Sequence, residues 1–84
     1  MKAIVLVRPK PGILDPQGNA VESALQHFGF AVSDARVGKV IDLEVEAADP
    51  AAARAEVERM CAQLLANPLV ESYEIHVAEE QVPA

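Results

Sequence analysis

Lys39-Val40-Ile41-Asp42-Leu43-Glu44-Val45-Glu46-Ala47 alternates without a break. Ile41, Leu43, Val45 and Ala47 point one way, Asp42, Glu44 and Glu46 the other, because successive side chains of a strand leave opposite faces. Such a pattern predicts a strand with one face on a core and one face in water, the habit of antiparallel sheets. Immediately upstream, Phe30–Val37 predicts a further strand, with Gly38 at the turn; the pair equally reads as one long bent strand bulged at Gly38. Further upstream, Lys2–Arg8 is apolar on both alternating faces, as a strand inside a sheet is, and Pro9 and Pro11 end it.

Two helices separate these strands. Asp15-Pro16 pairs a capping side chain with a first-turn proline, although Gly18 weakens that turn and allows a start nearer Asn19. Val21, Ala24, Leu25 and Phe28 form its apolar stripe, and Gly29 supplies the left-handed stop. Asp49-Pro50 repeats the signal, followed by a stripe of Ala53, Val57, Met60, Cys61 and Leu64 that ends before Asn67-Pro68. Val70–Ala78 is the last predicted strand, with Tyr73, Ile75 and Val77 on one face and Ser72, Glu74 and His76 on the other. The tail, Glu79–Ala84, is expected to fray. The order is strand, helix, strand, strand, helix, strand. It predicts a ferredoxin-like α+β fold, an antiparallel sheet with two helices on one face. The other face is then open, and the doubly apolar first strand asks for it to be covered by oligomerisation.

Composition points the same way. The 84 residues are read as one domain, 1–84, and so short a chain buries only a little over half of its unfolded surface. With a single cysteine, Cys61, and no Cys/His cluster, an internal disulfide or zinc site is not available for reinforcement. Association with a second copy is the remaining route. A formal charge of −6 argues against nucleic acid or an anionic membrane as partner. Arg8, Lys10, Arg36 and Lys39 are nevertheless basic residues that the fold can bring together. The apolar run at Met1–Val7 is too short for a secretory signal, and no stretch approaches a membrane span. A cytoplasmic protein is expected.

Catalytic machinery is hard to assemble from this chain. Cys61 lies on a buried helix stripe, where burial makes a thiol inert. His27 and His76 have no nucleophile or acid beside them in a pattern that general base catalysis needs. Asp42, Glu44 and Glu46 share one strand face at spacings of about 7 Å, which a solvated sheet face explains. Gly12, Gly18, Gly29 and Gly38 have neither the Walker nor the dinucleotide-fingerprint spacing.

Pro11-Gly12-Ile13-Leu14-Asp15-Pro16-Gln17-Gly18, and Val32 followed by Arg36-Val37-Gly38-Lys39, resemble the GI-DPQG signature and the V-x-x-x-R-x-G-K segment of the PurS family. Leu64-Leu65-Ala66-Asn67-Pro68, then Glu71 and Tyr73, resembles its LLANP-x-x-E-x-Y ending. The similarity runs from Lys2 to about Val77. It implies the small, non-catalytic subunit of phosphoribosylformylglycinamidine synthase, a ligase complex of purine biosynthesis. That complex amidates formylglycinamide ribonucleotide with glutamine as nitrogen donor and ATP as energy source. The resemblance further implies a dimeric or tetrameric bridge between a large synthetase subunit and a glutaminase subunit. It supports ammonia transfer, is inactive alone and binds no cofactor or metal; ATP and Mg belong to the large subunit. Asp15, Gln17, Gly18, Arg36 and Lys39 are then the expected partner contacts, while Gly12, Gly18 and Gly38 read equally as turn geometry. The alternative is a regulatory module that binds a small ligand at a dimer interface. Single-strand RNA binding ranks behind both, because the sheet offers Tyr73 among carboxylates.

Overall fold

The computed structural model describes residues 1–78, so the expectation of a frayed tail at 79–84 lies outside the described residues. The doubly apolar segment is β1 (Lys2–Pro9), the middle strand of a three-stranded antiparallel sheet. It is flanked by β2 (Lys39–Glu44) and β3 (Glu71–Val77). Helix α1 (Pro16–His27) lies between β1 and β2 in the chain; α2 (Pro50–Met60), prolonged by a π turn over Cys61–Leu65, lies between β2 and β3. This is the α+β, ferredoxin-like arrangement with one strand fewer than the sequence pattern predicts.

Register explains which side chains meet. Ala3 sits opposite Leu43 and Val77, Val5 opposite Ile41 and Ile75, and Val7 opposite Lys39 and Tyr73. Ala3, Val5 and Val7 are buried on that face, with Ala53, Val57 and Cys61 of α2 and its π turn in the same core cluster. Fully burying an aliphatic side chain such as Val57 contributes roughly 1.5–3 kcal/mol. The opposite face carries Ile4 between Asp42 and His76, and Leu6 between Val40 and Glu74. Pairing runs past the end of β2, where the Met1 amine donates to Val45 O at 2.6 Å and Val45 N donates to Met1 O at 2.7 Å.

Three features differ from the sequence expectations. First, Phe30–Val37 is neither a strand nor half of a bent one. Its donors go elsewhere: Phe30 N to Leu25 O at 3.0 Å, Val32 N to Phe30 O at 3.1 Å, and Val37 N to the Asp15 carboxylate. The outer edge of β2 is left open, as β2 pairs only with β1. Second, α1 forms where its cap signals predict, and Gly29 follows it at φ 93°, yet its stripe is not seated. No residue of α1 belongs to the buried core, and Gly18 is its one buried residue. Val21 is 42% and Phe28 76% exposed. The Cα radius of gyration, 16.0 Å, exceeds the about 12 Å of a compact chain this long. Third, Leu64 leaves the α2 stripe and is 83% exposed. Ala66 N donates to Cys61 O five residues back, and this wider turn carries Leu65, not Leu64, against the core.

Candidate partner-docking site

Asp15 joins the two loops that the sequence motifs single out. Its Oδ1 accepts from Gly18 N at 2.9 Å and caps α1; its Oδ2 accepts from Val37 N, also at 2.9 Å, across 22 residues of chain. The amide of Val37, then that of Gly18, holds the Asp15 carboxyl below the usual carboxylate range, and the charge of Arg36 adds to the effect. One side chain therefore fixes both the start of α1 and the path of the chain into β2.

Gly18 and Gly38 are required by close approach, whereas Gly12 has open space around it and answers to its φ of 84°. A Cβ on Gly18 would lie 2.3 Å from Ala35 O and 2.4 Å from Asp15 Oδ2; one on Gly38 would lie 2.1 Å from Val7 O. Both contacts are impossible for a real Cβ, so at Gly18 and Gly38 the geometric reading accounts for the residue. Gln17 is exposed at the first turn of α1, and Lys39 is exposed at the start of β2, opposite Val7.

Lys10 ties the basic residues together. Arg36 Nη2 donates to Lys10 O at 2.9 Å, Lys10 Nζ donates to Pro68 O at 2.6 Å, and Lys10 N donates to Val70 O at 2.9 Å. The Asp15 and Arg36 loops thus sit at the end of the sheet where β1 finishes and β3 begins. Between them lies a cavity of about 480 Å³, bounded by Pro11–Asp15, Asn19 and Asp34–Arg36. Leu14 projects from its rim, 77% exposed.

The structure brings together Asp15, Gly18 and Arg36 directly, with Gln17 and Lys39 at the margins. Sequence reasoning missed the bond from Val37 to Asp15, because nothing local announces a contact 22 residues away. It also missed the exposure of Leu14 and Phe30, which hydrophobicity alone assigns to the interior.

Elsewhere, the titratable groups are placed for structure. Cys61 is buried, and burial, with a smaller push from Glu58, raises its thiol above the usual range. His76 and Glu74 pair at 2.7 Å on the open sheet face, and the contact holds the Glu74 carboxyl down. His27 stacks edge-on against Phe28 at 5.9 Å between ring centroids. Among the described residues no three His, Cys, Asp or Glu side chains gather as metal ligands would, and no helix is long and apolar enough to cross a membrane. What the site presents is a pair of loops braced by hydrogen bonds, with exposed polar and apolar groups.

Comparison with known proteins agrees along almost the whole chain. The profile of PurS, phosphoribosylformylglycinamidine (FGAM) synthase, matches residues 2–79. The phosphoribosylformylglycinamidine synthase subunit PurS of a Synechocystis species is 47% identical over 70 residues, 82% of this chain and 70% of that protein. The crystal structure of Methanocaldococcus jannaschii PurS, one of the subunits of formylglycinamide ribonucleotide amidotransferase, superposes with a TM-score of 0.82. It is 38% identical and covers 95% of this chain and 98% of that one. A chain in the structure of PurLQS from Thermotoga maritima also gives a TM-score of 0.82 at 38% identity, over 89% of this chain and 93% of that one. The chain belongs to the PurS family of phosphoribosylformylglycinamidine synthase subunits.

Proposed function

We propose that this chain is the small bridging subunit of a glutamine-dependent, ATP-dependent phosphoribosylformylglycinamidine synthase. In this reading it joins a large synthetase subunit to a glutaminase subunit and keeps their sites aligned for ammonia transfer, in the cytoplasm. The observation that carries the reading is the family match over residues 2–79. The similarity to a chain of the PurLQS structure fits an assembly of this kind. The chain itself contributes no catalytic group, cofactor or metal ligand; ATP and Mg act in the large subunit.

The partner-facing surface is the end of the sheet where Asp15–Gly18 and Arg36–Lys39 meet. Asp15 and Gly18 hold the surface in shape, while Gln17, Arg36 and Lys39 make the contacts. Turn geometry has no need of charge, so the exposed cations are there for a partner. The chain also associates with itself, as a dimer or tetramer. We place that contact on the unseated stripe of α1 rather than on the open sheet face. Val21 and Phe28, with Phe30 just past the helix, are all exposed, whereas the open face is edged with Asp42, Glu44, Glu74 and His76.

The decisive experiment is glutamine-dependent amidation by the synthetase and glutaminase subunits, with and without this chain. Activity that appears only on its addition, with the isolated chain inert, is the expected result. Activity indifferent to it, with no complex formed, would move the reading to a ligand-binding regulatory module. Replacing Arg36 and Lys39 together by alanine should weaken the complex and leave the self-associated chain folded; unchanged assembly removes these two from the contact.

A further inference from the structure

Arg36 stands between two cavities. The second, about 460 Å³, opens at the end of the sheet and is lined by Leu6, Arg8, Arg36, Lys39 and Val40, with Val7 and Gly38 completing it. No carboxylate lines it, although the chain carries a net charge of −6. The carboxylates whose fields reach its arginines are already committed. Glu74, which feels Arg8, holds His76 at 2.7 Å; Asp15, which feels Arg36, accepts two backbone N–H groups.

The arginine donors are largely uncommitted. Arg36 gives one N–H to Lys10 O, which fixes the side chain in place. The Arg8 side chain makes no hydrogen bond or ion pair among the described residues; only its backbone is engaged, in the ladder with β3. A guanidinium carries five N–H donors in a planar fork that matches an oxyanion. Beside these forks lies an apolar floor, with Leu6 half-buried and Val40 62% exposed. Arginine forks in a cavity lined by no carboxylate, next to wet apolar surface, fit an anionic group carried on an apolar neighbour.

We propose that this cavity receives a carboxylate side chain, Asp or Glu, from a partner subunit, with an adjoining apolar residue of that subunit covering Leu6 and Val40. The proposal rests on the reading of the chain as a complex subunit. A peptide segment fits better than a free small anion, because an inorganic oxyanion would leave the apolar floor in water. Charge complementarity of this kind governs the rate and specificity of docking and weakens as salt rises.

The test is assembly of the complete chain with the synthetase and glutaminase subunits, titrated at about 0.05 M and at about 1 M salt, where the screening length falls to about 3 Å. Arg8→Glu should weaken assembly about tenfold or more at low salt, with most of the difference gone at high salt. Arg8→Lys, which keeps the charge but loses the fork, should lose distinctly less. Because Arg8 is exposed, both variants should melt with the wild-type chain. Equal assembly by wild type and Arg8→Glu at low salt overturns the proposal. So does a rise in melting temperature with inorganic phosphate alone that Arg8→Glu abolishes, since the cavity would then serve a small oxyanion. A wild-type chain that joins no complex at either salt concentration sinks the subunit reading itself, and this proposal with it.

Discussion

The two helices carry the same sequence signals and meet different fates. Each opens on Asp-Pro, each has its aspartate capping an amide three residues on, and each has an apolar stripe. Helix α2 puts Ala53 and Val57 into a fully buried core and is tied to β3 by Arg54 Nη2, which donates to Ile75 O at 2.9 Å. Helix α1 is fixed at its first turn by Asp15 and Gly18 and leaves its stripe in water. Local capping decides whether a helix forms; seating depends on whether the connecting chain delivers the stripe to a surface. The link from α1 to β2 is occupied by bonds back to Asp15 and to α1 itself, so it adds no strand and brings no helix onto the sheet.

That contrast is open to direct attack, the largest effect coming from the seated helix. Val57→Ala, which empties part of a fully buried position, should destabilise the chain by about 2–3 kcal/mol in urea unfolding. The matching change on α1, Val21→Ala, should stay within about 0.5 kcal/mol at high dilution. Equal losses at both positions would mean that α1 is seated after all.

Next come the loops that hold α1. Gly38→Ala and Gly18→Ala each drive a methyl into a backbone carbonyl and should cost about 1–3 kcal/mol, read from the denaturation midpoint. A neutral result at Gly38 would show that β2 can draw away from Val7 without loss.

Asp15 gives a pH signature. Its folded pKa lies below the ordinary value of 3.8, so its stabilisation is fully present above that value and is lost as pH falls through the lowered folded pKa. Unfolding followed from about pH 6 to about pH 2 should show an acid-side loss that Asp15→Asn lacks. Identical acid limbs would place the brace elsewhere.

The smallest effect on folding is expected at Phe28. Phe28→Ser should leave the dilute chain within about 0.5 kcal/mol of wild type while lowering its apparent mass in sedimentation. Unchanged self-association would move that contact off α1.

Strands β1 and β2 and both helices were legible because their signals are local: alternation in Lys39–Ala47, double-sided apolarity in Lys2–Arg8 and Asp-Pro caps. Phe30–Val37 misled because its Phe and Val residues favour extended backbone, but a strand also needs a partner edge, and Asp15 takes the Val37 amide first. The α2 stripe was right through Cys61 and failed at Leu64, where the turn widens. Of the candidate site, the two loops were legible as motifs. Their meeting through Asp15, and the cavities on either side of Arg36, were not.

The fold class, the central strand, the start of α2 and membership of the PurS family could be read along the chain, since these rest on periodicity, caps and motif order; the start of α1, open between Pro16 and Asn19 in the sequence, falls at Pro16. Packing leaves α1 unseated, makes Gly18 and Gly38 answer to close approach, and puts Arg8 and Arg36 in one cavity lined by no carboxylate. Each of these depends on distances between residues far apart in the chain, which no local pattern encodes.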